Sequence, residues 1–292
     1  MPILTIHHRT EYRYARPVGF GEHRLMLRPR DGHDLRLIGE TLTIEPTPSS
    51  IRWIRDVFGN TVGIVNFDTR SERLIFDSKV KVDHRPVKGL HLSPEDYAFL
   101  HPFAYDDEEL PDLAPSMRRA FPDPDRKIEL WARQFVRGDG PTLTQDLLTD
   151  ITFAIKRDFI YRRRYEAGVQ DPLQTLQTGM GTCRDFALFM MEAVRSLGYA
   201  ARFVSGYLHV RGAGPERLGG GSTHAWVQVY LPSAGWVEFD PTNGIVGNRD
   251  LIRVAIAREP RQAVPLWGSF NGAASDHLNM KVNISVVAEA GA

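Results

Sequence analysis

Gly179-Met180-Gly181-Thr182-Cys183-Arg184-Asp185-Phe186-Ala187 reads as a loop running into a helix. Thr182 is a good N-cap residue, and Asp185 stands three positions later, where a capping-box acid belongs. Apolar side chains then recur at Phe186, Phe189, Met190, Ala193, Val194 and Leu197, forming one face of a single helix. Gly198 ends it, because a left-handed residue after a helix costs glycine little. Cys183 therefore falls on the first helical position. The unpaired backbone N–H groups and the helix dipole favour a thiolate there. The flanking glycines leave room for a substrate beside the sulfur. A single cysteine can equally be a buried structural thiol, so its meaning depends on its partners.

Those partners come from a hairpin. His224-Ala225-Trp226-Val227-Gln228-Val229-Tyr230-Leu231 alternates strictly, Pro232-Ser233-Ala234-Gly235 turns, and Trp236-Val237-Glu238-Phe239-Asp240 returns. His224 precedes the turn by about the distance at which Asp240 follows it, so folding brings the two close on neighbouring strands. Trp226 shares the strand face of His224 and is a candidate to line the substrate site. The chemistry suits this set. A thiolate needs a base beside it, an imidazole shuttles the proton, and a carboxylate on the other ring nitrogen fixes the tautomer. His209 is the rival base; it borders the glycine-rich stretch 212–221 and has no evident orienting acid. Asp240 could instead be a plain turn cap before Pro241.

Four separated stretches resemble the transglutaminase-like superfamily in its bacterial branch: residues 181–187, Ala201-Arg202-Phe203-Val204-Ser205-Gly206-Tyr207, Thr223-His224-Ala225-Trp226-Val227, and residues 235–243 from Gly235 to Asn243. The match is tight over about residues 150–250, and the β-rich N-terminal region resembles, more loosely, the β domain that often precedes this core. The resemblance implies a papain-like core, with the cysteine helix packed on an antiparallel sheet carrying His and Asp. It carries nucleophile, base and orienting acid over to Cys183, His224 and Asp240. It implies acyl transfer or hydrolysis at a carboxamide or peptide bond, on a protein or peptide substrate. Thr182 departs from the aliphatic residue common in the family, without harm to capping. The backbone N–H of Cys183 is a natural first oxyanion donor. For the second, Tyr161 and Gln177 are the candidates, though each is also explained by packing.

Outward from this centre, residues 1–88 read as short strands separated by turn signals at Asp31-Gly32, Pro46-Thr47-Pro48 and Gly59-Asn60, which suggests an antiparallel sandwich. His7 and His8 point to opposite faces of a strand and read as surface histidines. Residues 89–126 carry recurrent prolines and the acidic run Asp106-Asp107-Glu108-Glu109; they read as a surface linker with short helical pieces, the acids forming a solvated face. From 127 to 292 the pattern is α+β. Helices are expected near 127–135, from Thr142 or Thr144 onward, and after Cys183. Strands follow at Phe159-Ile160-Tyr161, Ala201–Leu208, 224–231, 236–240, Leu251–Ala257 and Met280–Ala288.

Composition narrows the function classes. Apolar residues make up 42% and charged residues 25% of 292, which suits a globular fold and not a disordered chain. Lys+Arg and Asp+Glu both number 36, so no global field draws nucleic acid or an anionic membrane. No apolar run approaches the ~20 residues that span a bilayer, and the first residues lack the unbroken apolar core of a signal peptide. One cysteine allows no intrachain disulfide, so a reducing cytoplasm is the expected compartment. Calcium-type acidic loops are not evident. The expected enzyme uses no metal and no cofactor. A non-catalytic interaction module is the alternative, disfavoured by retention of all three triad residues.

Overall fold

The computed structural model describes residues 3–86, 90, 92–93, 96–164, 168–210, 218 and 221–289. The N-terminal region forms the expected sandwich. In one sheet, Ile3–Phe20 lies between Ser71–His84 and His277–Ala288, both antiparallel to it, and Leu35–Glu45 extends the sheet beyond Ser71–His84. The facing sheet runs Leu266–Trp267, His23–Leu25, Thr61–Asn66, Ser50–Arg55. Inward-pointing residues of both sheets, among them Phe20, Leu25, Val65, Leu74 and Phe76, fill the space between.

This pairing corrects the expected boundary at the C-terminal side. The strands from residue 266 onward join the sandwich and do not complete the catalytic core. The physical reason is an edge: without residues 277–288, the long strand Ile3–Phe20 would present unpaired N–H and C=O groups along one side. Ile284 and Val286 pack inward against Leu4 and Ile6, while most other side chains of that strand stay exposed.

The core sheet has five antiparallel strands in the order Ile245–Val246, Gly235–Asp240, His224–Leu231, Ala201–Leu208, Leu251–Ala257. Ala225, Val227 and Val229 point from one face onto the helix Cys183–Ser196. The helices Lys127–Arg133, Thr144–Asp158 and Pro172–Thr178 also pack against that helix. The second begins at Thr144, with Leu143 in the N-cap position. The helix Pro172–Thr178, capped by Asp171, was not expected from the sequence pattern.

The cysteine helix is buried nearly all round, not on one face as its apolar pattern predicts. Asp185, Glu192 and Arg195 are buried with it, and each is compensated. Arg195 pairs with Glu192 at 3.0 Å and donates to the carbonyls of Ser116, Ala201 and Arg258. Glu192 also accepts from the backbone N–H groups of Ala120 and Phe121. The stretch expected as a linker is therefore pinned to the central helix. Tyr105 is buried within it, and Leu110–Met117 is helical. Asp106, Asp107 and Glu108 are exposed as expected, while Glu109 accepts the Tyr230 hydroxyl.

His8 also departs from the surface reading: it is buried, bonded through Nδ1 to the Tyr207 hydroxyl and through Nε2 to Thr10 Oγ1, both at 3.0 Å. Tyr207 belongs to the core sheet, so this histidine joins sandwich to core.

Candidate active site

Cys183 is the first residue of its helix and is buried. Asp185 accepts both the backbone N–H and the hydroxyl of Thr182, each at 2.8 Å. It also takes two bonds from the Arg164 guanidinium, at 2.9 and 3.0 Å, and one from the Gln170 N–H at 2.7 Å. Burial pushes the Asp185 carboxyl up, but these donors hold it below the usual carboxylate range. The acid thus serves as a fixed anchor for the loop entering the helix. Gly181 is required here by contact: a Cβ would lie 2.9 Å from Asp185 Cβ and 3.1 Å from Phe186 Cε1.

The hairpin places the other two residues. Leu231 pairs with Gly235 and Val227 with Phe239. Continuing that register sets Asp240 across from Trp226, one diagonal step from His224. The His224 Nε2 to Asp240 Oδ2 distance is 2.8 Å, and both side chains are fully buried. Asp240 is the turn cap that the sequence allowed and also holds the His224 ring. Its Oδ1 accepts the backbone N–H groups of Thr242 and Asn243, at 2.9 and 3.3 Å, while Oδ2 faces the imidazole. Burial raises its pKa, but His224, Asn243 and the Thr242 N–H outweigh it and hold the acid ionised.

With Nε2 committed to Asp240, Nδ1 is the nitrogen left for the thiol. Burial pulls the imidazole pKa down; Asp240 and then Cys183 pull it up further, to about 10. Cys183 and Asp240 therefore act on one ring, and the charged form is the stable one. Trp226 is fully buried and stacks on that ring, centroids 6.0 Å apart at 27°. It is a wall behind the base and is not open to substrate, which corrects its placement as a substrate-lining residue. Gly206, across from His224 in the sheet, makes the wall fit: a Cβ there would fall 2.7 Å from Trp226 Cη2 and 2.1 Å from the Ile252 carbonyl oxygen.

The secondary candidates separate. Tyr161 pairs with Gly181 in a short parallel ladder, next to the helix entrance. Its hydroxyl is raised by burial and then by the Cys183 charge, so it lies within electrostatic reach of the nucleophile. Gln177 is exposed on the helix Pro172–Thr178 and has no bond to the triad among the described residues. Gln170, seven residues earlier, is the glutamine that braces this loop, bonding the Met180 carbonyl at 3.0 Å. His209 is buried, and its backbone N–H donates to the Asp250 carbonyl at 2.9 Å. The carboxylate Asp240 is committed to His224. Apart from Leu218 and Gly221, the glycine-rich stretch 212–221 lies outside the described residues.

Asn243 contacts both residues of the His224–Asp240 pair and is the site neighbour that sequence reasoning missed. Its amide donates to Asp240 Oδ2 at 2.9 Å and lies 3.3 Å from His224 Nε2. The signal was its position three residues after the acid, in the last of the four stretches.

Residues 4–83 match the family model described as bacterial transglutaminase-like N-terminal region, and residues 130–241 match the transglutaminase-like superfamily. The Mycobacterium tuberculosis protein Rv2569c is 30% identical over 278 residues, spanning 89% of this chain and 85% of its own length. The Mycobacterium leprae protein ML0607 is 35% identical over 117 residues, 40% of this chain and 41% of that protein. Among solved structures, a candidate cysteine protease from Cytophaga hutchinsonii covers all of this chain and 92% of its own, at TM-score 0.71 and 18% identity, a likeness of fold. The N-terminal sandwich strands fall within the first match and the Cys183 helix and His224–Asp240 hairpin within the second, and the chain belongs to the bacterial transglutaminase-like superfamily.

Proposed function

We propose that the protein is a thiol acyl-transfer enzyme acting on protein or peptide substrates through Cys183, His224 and Asp240. The observation that supports this best is the single imidazole held by Asp240 at 2.8 Å and raised by the charge of Cys183. In this reading the Cys183 proton passes to His224 Nδ1. Sγ attacks the carbonyl carbon, and the resulting oxyanion takes a hydrogen bond from the Cys183 N–H, one of the donors a first helical turn leaves unpaired. His224 returns the proton to the departing amine as the C–N bond breaks, leaving a thioester. Water resolves it to an acid, or a second amine resolves it to a new amide.

Arg162 and Arg163 are exposed on a cavity of about 480 Å³ beside Gly181. This reading makes that side the approach for substrates with acidic neighbours. A peptide library, profiled with and without added amine, tests the whole reading. Turnover of the unmodified protein and none by Cys183→Ala is expected; turnover by both, or labelling by a thiol-directed probe no faster than that of a free thiol, sinks it. Ammonia release without amine incorporation assigns hydrolysis, and incorporation assigns transamidation.

A further inference from the structure

We propose that a second cavity, between sandwich and core sheet, binds the carboxylate of a small organic acid or short peptide. The cavity measures about 530 Å³ and is bordered by Arg30 on one side and by Arg202, Gln228, Trp236 and Arg253 on the other. Three guanidiniums converge on it. Arg253 is neutralised: it takes both oxygens of Asp34, at 2.6 and 2.7 Å, and pairs with Glu238 through its other nitrogen.

Arg30 and Arg202 form no ion pair among the described residues. Arg30 donates to the Phe58 carbonyl at 3.0 Å and to Asn60 Oδ1 at 2.8 Å. Asp56 has no direct hydrogen bond to Arg30, but, against burial, which lowers the Arg30 pKa, its charge lies close enough to raise it; Asp56 also holds the Asn60 amide. Arg202 lies 3.8 Å above the Trp236 ring centre and spends its Nε on Gln228 Oε1 at 2.8 Å. Gln228 is locked in that orientation, because its amide nitrogen donates to Glu238 at 2.7 Å. The remaining nitrogens of Arg202 have no hydrogen-bond acceptor among the described residues. Burial, then Arg30 and Arg253, pull its pKa down to about 9, as expected for crowded cations.

Charge selects the ligand. Three guanidiniums and the three carboxylates Asp31, Asp34 and Glu238 border the cavity; Arg253 takes up Asp34 and Glu238, and Asp31 accepts the Leu37 N–H, so the guanidinium nitrogens of Arg202 are the donors left for an incoming anion. A carboxylate supplies one negative charge and matches the planar guanidinium fork. A phosphate dianion, with twice the charge, would be repelled more strongly by Asp31, Asp34 and Glu238. Gln228 lies four residues from His224 on the same strand face, ~13 Å along it, and the fully buried Trp226 stands between. The cavity is therefore separate from the triad.

The test uses the full chain, unmodified and with Cys183 alkylated. Benzoate, N-acetyl-alanyl-alanine, its C-terminal amide and inorganic phosphate are titrated by calorimetry and by thermal unfolding. The two carboxylates are expected to bind and to raise Tm with dose, in both forms of the protein. The amide and phosphate are expected to bind at least about tenfold more weakly. Benzoate binding without the peptide assigns small organic acids, and binding of both assigns peptide ends as well. Arg202→Gln and Arg30→Gln are each expected to weaken binding at least about tenfold. If either variant fails to fold, the acid–amide contrast in the unmutated chain decides. No binding by either carboxylate, equal binding of acid and amide, phosphate binding as tightly as carboxylate, unchanged affinity in folded arginine variants, or loss of binding on alkylation would each overturn the proposal.

Discussion

Asn243 donates its side-chain amide to Asp240 Oδ2 at 2.9 Å, on the oxygen that also holds His224 Nε2 at 2.8 Å. One carboxylate oxygen is thus shared by the base and by a neutral donor from the following turn. The donor fixes the carboxylate plane and favours its ionised form. Asn243 is a positioning residue in this reading. A hydrogen bond to a charged group contributes ~1.5–3 kcal/mol, so Asn243→Ala should lower kcat by about tenfold to a hundredfold with little change in KM. Removing the donor also lets the Asp240 carboxyl rise, which moves the acid limb of the kcat profile to higher pH. A slower variant with an unmoved limb would mean that Asn243 only packs.

Asp240→Asn should keep the fold and reduce kcat, by less than the ~10⁴-fold loss seen in a serine triad, because a thiol ionises more readily than a hydroxyl. The neighbouring acids cannot substitute for it. Glu238 is committed to Arg253 and Gln228, and Asp185 to Arg164 and Thr182. An unchanged rate in this variant would show that at least one of these commitments does not hold in solution.

The raised imidazole gives a pH signature. His224 sits at about 10 in the fold, because Asp240 and Cys183 outweigh burial, against ~6.5 in an unfolded chain. Its stabilising contribution is full below the unfolded value and is lost as pH rises through about 10. Alkylation of Cys183 by iodoacetate, an anion drawn to the imidazolium, should therefore fall on the alkaline side of that value. His224→Ala should abolish this limb and slow the reaction at neutral pH, whereas His209→Ala should leave both untouched. The reverse pattern would make His209 the base.

His8 predicts an acid-sensitive join between sandwich and core. Tyr207 gives its hydroxyl proton to the Leu27 carbonyl, so His8 Nδ1 carries a hydrogen, and in the neutral ring Nε2 accepts from Thr10. Burial, then His7, lower its pKa to about 4 against the opposing pull of Asp77. The unfolded chain thus binds the extra proton first, and stability present above ~6.5 is lost as pH falls toward the folded value. Between pH ~7 and ~5 the loss is about 2 kcal/mol. Urea unfolding of the parent chain and of His8→Gln at both pH values measures it; an equal loss in both would place the titrating group elsewhere.

The helix start at Cys183 and the His224–Asp240 contact were legible because their spacing is local. A capped helix start and a four-residue turn each set geometry over a few residues, so both could be placed without tertiary information. The core strands Ala201–Leu208 and Leu251–Ala257 were legible for the same reason, as apolar runs bounded by turns. Features made by distant partners were not. His8 looks like any strand histidine until Tyr207 arrives from 199 residues away. Glu192 and Arg195 look like solvent-facing helix charges, because their compensating groups lie in a proline-rich stretch about 75 residues earlier. The helix Pro172–Thr178 has barely two turns, too short for a 3.6-residue period to show. Asn243 reads as an ordinary turn residue, since a turn asparagine has the same sequence signature whether or not its amide meets a carboxylate.

The strand 277–288 that flanks Ile3–Phe20 has a consequence for how the molecule is made. In sequence, the catalytic unit is an insert: its helices and sheet lie between two halves of the sandwich that must find each other across some 190 intervening positions. During synthesis the first strand can zip onto Ser71–His84 early, but its other edge stays bare until residues 277–288 have been added. The order of synthesis is then imposed by connectivity: every residue of the core is made before the strand 277–288 that completes the sandwich edge. A chain stopped short of residue 277 would keep Cys183, His224 and Asp240 but expose an open sheet edge, and its expected failing is aggregation.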